Sequence, residues 1–261
     1  MMPQTIQIEA KKIKNIENCE MEIDFEKGIY AIVGGNGCGK STLMNMLALL
    51  VRPSALRMLA PSDYSEDSYV KLQIGGCIDV LHLENNNWTT QEKYDNRSHM
   101  KNHYRGFFEG SIFYGTRFYD FAKISEIAST IRQSDLRPVD DFVKVSLSHI
   151  LHDDNTHYNT LLKIRSKERA RALGLEGVPY FFSKDDQIIS QYNMSSGECM
   201  LISLIDFVHN LTSRNRAPRG TKVLFLIDEV ELALHPSAID RLIDFFKQQI
   251  DTSEYEIVVY F

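Results

Sequence analysis

The sequence predicts an α/β fold: a mixed, largely parallel sheet flanked by helices, with an inserted β and helical lobe in the middle. Three observations carry that expectation. Apolar, strand-like runs lie near both ends of the chain, at Ile29–Val33, Val223–Ile227 and Ile257–Phe261. Helical patterns alternate with them in the order strand, glycine turn, helix, long excursion, helix, strand, helix, strand, as a parallel sheet requires. The excursion mixes hairpin and helix patterns and contains neither an internal repeat nor a low-complexity linker.

Each element has its own signal. Ile6 and Ile8 alternate with polar residues, as do Met21, Ile23 and Phe25, and Gly28 breaks the chain before the first apolar run. A glycine-rich turn leads into an amphipathic helix over about 40–50, where Leu43, Met44, Leu47 and Leu50 share one face. Val70–Ile74 and Cys77–Leu83 flank Gly75-Gly76 as a hairpin, and the polar stretch Glu84–Asn102 reads as a loop. Ser111–Phe118 reads as a strand. Residues 119–173 read as helix in three pieces, punctuated by Pro138 and by Asp153-Asp154-Asn155. A strand pair near 180–192 precedes a helix over about 196–213, and Pro236 opens the helix that follows Val223–Ile227. The expected organisation is 1–51 and 191–261 as the two parts of the main lobe, with 52–190 inserted between them.

Composition narrows the classes. Of 261 residues, 43% are hydrophobic and 25% charged, which is ordinary globular usage and excludes disordered and fibrous chains. A net charge of -6 excludes a surface coated in basic residues for nucleic acid, though not a local basic patch. Cys19, Cys38, Cys77 and Cys199 form no CxxC pair, so neither a zinc site nor a disulfide framework is expected. No apolar run approaches the roughly 18 residues of a membrane span, and the N-terminus has no secretory pattern. A cytoplasmic, membrane-independent protein is the expectation.

Gly34-Gly35-Asn36-Gly37-Cys38-Gly39-Lys40-Ser41 matches G-x-x-x-x-G-K-[ST] at every fixed position, between an apolar strand and a helix. Glycines allow positive φ, so successive N–H groups turn inward as an anion nest, and the helix N-terminus adds partial positive charge. Lys40 is then placed for the β- and γ-phosphates of ATP and the Ser41 hydroxyl for Mg²⁺, with Thr42 beside them among the nucleotide-binding residues. Cys38 occupies a variable position of the loop. Val223–Ile227 runs into Asp228-Glu229, and ligands bind at the carboxyl ends of buried parallel strands. Asp228 suits Mg²⁺ and Glu229 suits the attacking water, although acidic residues also follow strands as caps and turn formers. Ser195-Ser196-Gly197-Glu198 opens an apolar-faced helix, and by itself it is equally an S-x-x-E capping box.

The three motifs in this order resemble those of ABC-type ATPases. Glu198 in the signature, and Glu229-Val230-Glu231-Leu232-Ala233-Leu234-His235-Pro236 after the strand, are similar to the soluble branch that includes RecF, the SMC-like ATPases and the OLD-family and Septu-type antiphage ATPases. The resemblance covers roughly 1–50 and 190–261. It implies a head-to-tail homodimer in which Ser195, Ser196, Gly197 and Glu198 of one protomer face the ATP held by the other. It also implies a role in DNA metabolism, DNA repair or antiviral defence, controlling a partner or effector such as a nuclease. Three rivals remain: a slow-turnover nucleotide-gated scaffold, a transporter ATPase subunit, and a nuclease in its own right, for which no acidic metal domain is visible. The middle region lacks the sustained heptads of SMC arms.

Gln73 is the one candidate for the glutamine that such ATPases carry near the γ-phosphate. Lys14-Asn15-Ile16 stands where relatives often have an aromatic residue. Lys163, Lys167 and Arg171 fall at helical spacing and offer either a nucleic-acid contact or a solvated helix face. A second basic group comprises Arg214, Arg216, Arg219 and Lys222, and Phe107, Phe108, Phe113, Tyr114, Phe118, Tyr119 and Phe121 read as packing aromatics. The resemblance also implies a switch histidine after the last strand; that position falls beyond Phe261, so the native polypeptide is expected to continue.

Overall fold

The computed structural model describes residues 4–52, 54–85, 87–90, 104–110, 123–124, 126–127, 130–184, 187–213 and 218–261. The described strands are β1 (Thr5–Ile13), β2 (Ile16–Asp24), β3 (Gly28–Tyr30), β4 (Tyr64–Ile74), β5 (Cys77–Glu84), β6 (Asn87–Thr90), β7 (Arg105–Glu109), β8 (Leu136–Pro138), β9 (Leu161–Ile164), β10 (Tyr180–Lys184), β11 (Gln187–Ser190), β12 (Lys222–Ile227) and β13 (Glu256–Tyr260). The helices described are α1 (Lys40–Leu47), α2 (Asp141–His152), α3 (Lys167–Ala172), α4 (Ser196–Ser213), α5 (Val230–Ala233) and α6 (Pro236–Thr252). They fall into two compact units.

The first unit comprises Met1–Ser111, Ala217–Glu229 and Phe246–Phe261. It holds an antiparallel sheet in the order β2-β1-β4-β5-β6 and a parallel sheet in the order β3-β13-β12-β7. The two sheets differ in pattern because they differ in cover. β1 alternates, burying Ile6, Ile8 and Ala10 while its other face stays polar. β12 is apolar and buried without a break from Val223 to Ile227, as in parallel strands covered on both faces. Helix α1 shares one core with both sheets: Leu43, Met44, Met46 and Leu47 pack with Ile6 and Val70 and with Leu224 and Val258. Burial on most of its surface explains why this helix carries so few charged residues.

The second unit comprises Ile112–Arg216 and Val230–Phe245. Its antiparallel sheet runs β11-β10-β9-β8. Helix α4 buries Leu201, Ile202, Leu204, Ile205, Val208 and Leu211 along one stripe, each contributing roughly 1.5–3 kcal/mol relative to exposure. Helix α2 starts at Asp140, whose carboxylate accepts from Phe142 N at 2.9 Å as an N-cap.

Three sequence expectations change. The segment after Glu84 is not all loop: β6 pairs back on β5, with Asn85 in the left-handed region that hairpin turns use. The three-piece helical reading of 119–173 holds in part: residues 123–124 and 126–127, α2 and α3 are helical, but strands β8 and β9 stand between them. Ser166 is the reason for the break before α3, because its hydroxyl accepts from Arg169 N at 3.1 Å and starts a new helix. The first parallel strand ends at Tyr30, although Ile32 N still donates to Phe261 O at 2.7 Å. The strand expected at Ser111–Phe118, and the aromatics Phe113, Tyr114, Phe118, Tyr119 and Phe121, lie outside the described residues.

Candidate functional site

The loop from Gly34 to Gly39 connects β3 to α1 at the carboxyl edge of the parallel sheet. Gly37 has φ 76° and Gly39 φ 102°, and Gly39 stands as the N-cap of α1 without any side-chain cap. Gly34, Gly35, Asn36, Gly37 and Cys38 are exposed, and a Cβ at Gly35 or Gly37 would meet nothing within 4 Å. The result is an open, backbone-lined cradle at a helix N-terminus, which fits a phosphate chain on geometry and charge. Lys40 Nζ folds over this loop and donates to Gly34 O at 2.8 Å and Gly35 O at 3.2 Å. Ser41 is half-buried and Thr42 buried behind it.

Two residues that the sequence left without a role brace this loop. Asn15, in the β1–β2 turn, donates its side-chain amide to Gly37 O. The Ile16 side chain lies 3.1 Å from where a Cβ on Gly39 would sit. An apolar brace and one hydrogen bond therefore occupy the place where an aromatic was sought.

The carboxylates stand at the ends of adjacent strands. Asp228 N donates to Glu109 O at 3.0 Å, which continues the β12–β7 ladder by one residue. Glu229 has φ 55°, a left-handed conformation uncommon outside glycine, asparagine and aspartate. Because the sheet order is β3-β13-β12-β7, the glycine loop and Asp228-Glu229 leave the same edge of one sheet, with β13 between them. Glu109 joins that edge and was missed, since a short strand ending in Phe107-Phe108-Glu109 resembles any packed run. Phe107 does pack, against Phe225 at 6.5 Å between ring centroids. Gln73, by contrast, sits within β4, opposite Gln7 and Ile78 in the antiparallel sheet, and not at this edge.

The Ser195–Glu198 segment belongs to the second unit. Its capping box is complete: Glu198 Oε2 accepts from Ser195 N at 2.8 Å and from Ser195 Oγ at 2.7 Å, and Glu198 N donates to Ser195 Oγ at 3.2 Å. Burial alone would push the Glu198 carboxyl up, but donors from Tyr158 and Ser195 outweigh it and hold the group below the usual range. Gly197 is buried, and a Cβ there would fall 2.5 Å from Ala233 O. Ser196 is half-buried at the first turn of α4.

The basic helix face does not exist. Lys163 is in strand β9, buried, and ion-paired with Asp206 at 2.6 Å, while Lys167 and Arg171 belong to α3 beyond the Ser166 break. The nucleic-acid contact through Lys163, Lys167 and Arg171 loses its geometric premise. In the second basic group, Arg219 pairs with Glu254 at 2.9 Å and Lys222 with Glu256 at 3.1 Å, and Arg214 and Arg216 lie outside the described residues.

Among the described residues, no three His, Cys, Asp or Glu side chains gather as a metal cage. No described helix is long and apolar enough to cross a membrane.

Residues 7–210 match the family model AAA_23, described as an AAA domain. No curated protein matches the chain in sequence. A crystal structure of an Smc head bound to the C-winged helix domain of ScpA aligns with TM-score 0.51 at 18% identity, covering 97% of this chain and 88% of that one. The Smc head of Pyrococcus furiosus, with an extended coiled coil and the C-terminal domain of ScpA, gives 0.51 at 15%, covering 99% and 89%. The recombination mediator RecF with ATP gives 0.50 at 12%, covering 99% and 92%. At such identities the likeness is one of fold, and it spans the whole architecture rather than one motif. The chain belongs to the AAA domain family, with the fold of ABC-type ATPases of the SMC and RecF branch.

Proposed function

We propose that this protein binds and hydrolyses ATP as a nucleotide-switched, head-to-tail homodimer. The observation that carries this reading is the shared edge: an uncapped glycine cradle and the Asp228-Glu229 pair leave one end of one parallel sheet. The N–H groups of 35–40 and the Lys40 ammonium bind the phosphates, and Lys40 exchanges its bonds to Gly34 O and Gly35 O for phosphate oxygens. Ser41 and Asp228 would hold Mg²⁺, which supplies charge neutralisation on the phosphates when bound. Such an ion keeps most of its water and needs few protein ligands, so a carboxylate cage is not required. Glu229 orients and deprotonates the attacking water, and its left-handed backbone is strain of the kind found at active sites. Ser196 and the first N–H groups of α4 contact the γ-phosphate from the partner, so that ATP joins the protomers and hydrolysis releases them.

DNA metabolism or antiphage defence is the proposed setting, with a partner or effector protein reading the dimer state. The Smc heads in complex with ScpA and RecF of the RecFOR pathway support this by analogy of fold.

Lys40→Ala and Glu229→Gln separate the parts of the proposal. Lys40→Ala should lose most ATP affinity by calorimetry, whereas Glu229→Gln should keep it, stop turnover and accumulate an ATP-dependent dimer on gel filtration. Undiminished ATP affinity in Lys40→Ala, or continued hydrolysis in Glu229→Gln, contradicts these roles.

A further inference from the structure

In the second unit, a buried polar cluster is built around Tyr158. This side chain is fully buried, and its hydroxyl donates to Glu198 Oε1 at 2.6 Å. The bond occupies that hydrogen, so His152 Nε2, 3.1 Å from the same oxygen, must be the donor in its own contact. The His152 ring stacks on His157 at 3.8 Å, and His157 lies against Phe182 at 5.8 Å. Tyr158 N is held in turn by Ser148 Oγ of α2 at 3.0 Å. Donors thus run in one direction, from His152 to Tyr158 to Glu198, and Glu198 spends its other oxygen on Ser195. A capping box on a surface helix needs no such support, since Ser195 and Glu198 satisfy each other.

We propose that Tyr158, backed by His152, is a positioning residue for the Ser195-Ser196-Gly197 turn, acting through Glu198 to hold that turn in the orientation that meets ATP. The proposal rests on the trans-signature reading above. A carboxylate on a helix terminus can adopt several rotamers. Fixing one oxygen from below with a buried phenol leaves the other a single position, and the turn follows it. Neither Tyr158 nor His152 touches nucleotide in this scheme. Both lie between the glycine loop and the Ser195–Glu198 segment, where the sequence offers no motif to identify them.

Tyr158→Phe keeps the buried ring and removes only the bond to Glu198. ATP affinity of the monomer should be unchanged, while kcat should fall roughly tenfold, the scale of one hydrogen bond to a charged group lost from the support of the turn. On a Glu198→Ala background the same substitution should lower kcat no further, because the group it acts through is gone. Equal kcat in wild type and Tyr158→Phe, with thermal melts showing both folded, overturns the proposal. A further loss on the Glu198→Ala background overturns it as well, because Tyr158 would then act by another route. Ser196→Arg serves as the control for the underlying reading. If Ser196→Arg is inactive while Tyr158→Phe is normal, the trans signature stands and only the positioning role fails. If Ser196→Arg hydrolyses ATP normally, the trans signature itself fails and takes this proposal with it.

Discussion

Individual side chains in this protein often serve a turn rather than a ligand, and substitutions can tell the two apart. Gly197 is the clearest case. Its space is taken by Ala233 O and by Leu234 Cδ2, 2.5 and 2.7 Å from where a Cβ would stand. Gly197→Ala should therefore destabilise the second unit by about 1–3 kcal/mol through overpacking, even without nucleotide. Chemical denaturation of the ATP-free protein measures this, and unaltered stability would return Gly197 to a purely nucleotide-facing role. Lys163 makes the opposite point, because a residue that reads as a nucleic-acid contact is half of an ion pair with little exposure on either side. Lys163→Ala should lower stability by leaving Asp206 uncompensated, whereas charge reversal at the exposed Lys167 and Arg171 should leave the melt nearly unchanged. If the reversal weakened duplex DNA binding and reduced its salt slope, α3 would regain an electrostatic role.

Among elements, α1 couples the cradle to the core. Its first turn faces the glycine loop, and its remaining turns bury Leu43, Met44, Met46 and Leu47 against strands of both sheets. A helix used this way cannot shift without moving the loop, which holds the glycine turn in one geometry. Leu47→Ala, at a position with no exposure, should cost about 2–5 kcal/mol and also weaken ATP binding. A stability loss without any change in affinity would mean that the loop is held by Asn15 and Ile16 instead. Helix α2 is anchored more locally, and Asp140→Ala should cost about 1 kcal/mol from its lost cap.

Over the whole molecule, stability on the acid side of neutrality should depend on pH in one direction. The Asp67 carboxyl is held down by the Ser65 hydroxyl and then by Lys12 and Lys11. Asp135 is held down by Arg169, and Glu9 by Lys71 and then Tyr69. Folded values below the unfolded ones mean that the unfolded chain binds more protons in acid. This stabilisation is complete above the ordinary carboxylate value of roughly 4 and is lost progressively as pH falls from there through the depressed folded values. Asp67 is exposed and Glu9 half-buried, so added salt should shrink their share, whereas the share of the buried Asp135 should persist. His152 shifts downward too, because burial and then His157 disfavour its charged form against the opposing pull of Glu198 and Asp154, with Arg241 adding to the lowering. Its contribution is present above roughly pH 6.5 and is lost as pH falls below that value. A melting series should therefore show a small decline below neutrality and a steep one in the carboxylate range. His152→Gln should flatten the first decline alone, and a wild-type melting temperature constant down to about pH 5 would contradict the His152 assignment.

Strand and helix identities were legible near the two ends because the local code there is strong. A glycine loop between an apolar run and a helix, and five buried residues before two acids, each specify local geometry with few alternatives. Helix α4 and the β4–β5 hairpin were legible for the same reason, since periodicity and turn chemistry are local properties. The sequence alone thus determined the glycine loop ahead of α1, the apolar strand that runs into Asp228-Glu229 and the alternation that makes a parallel sheet. Tertiary structure alone decided the sheet order β3-β13-β12-β7, which sets Glu109 beside Asp228 and leaves Gln73 on another sheet. It also decided that Lys163 lies in a strand, that Asn15 braces Gly37, and that Tyr158 reaches Glu198 from 40 residues away. Strand pairing and side-chain contact depend on which segments meet in space, and a one-dimensional pattern records only what each segment buries, not what it is buried against.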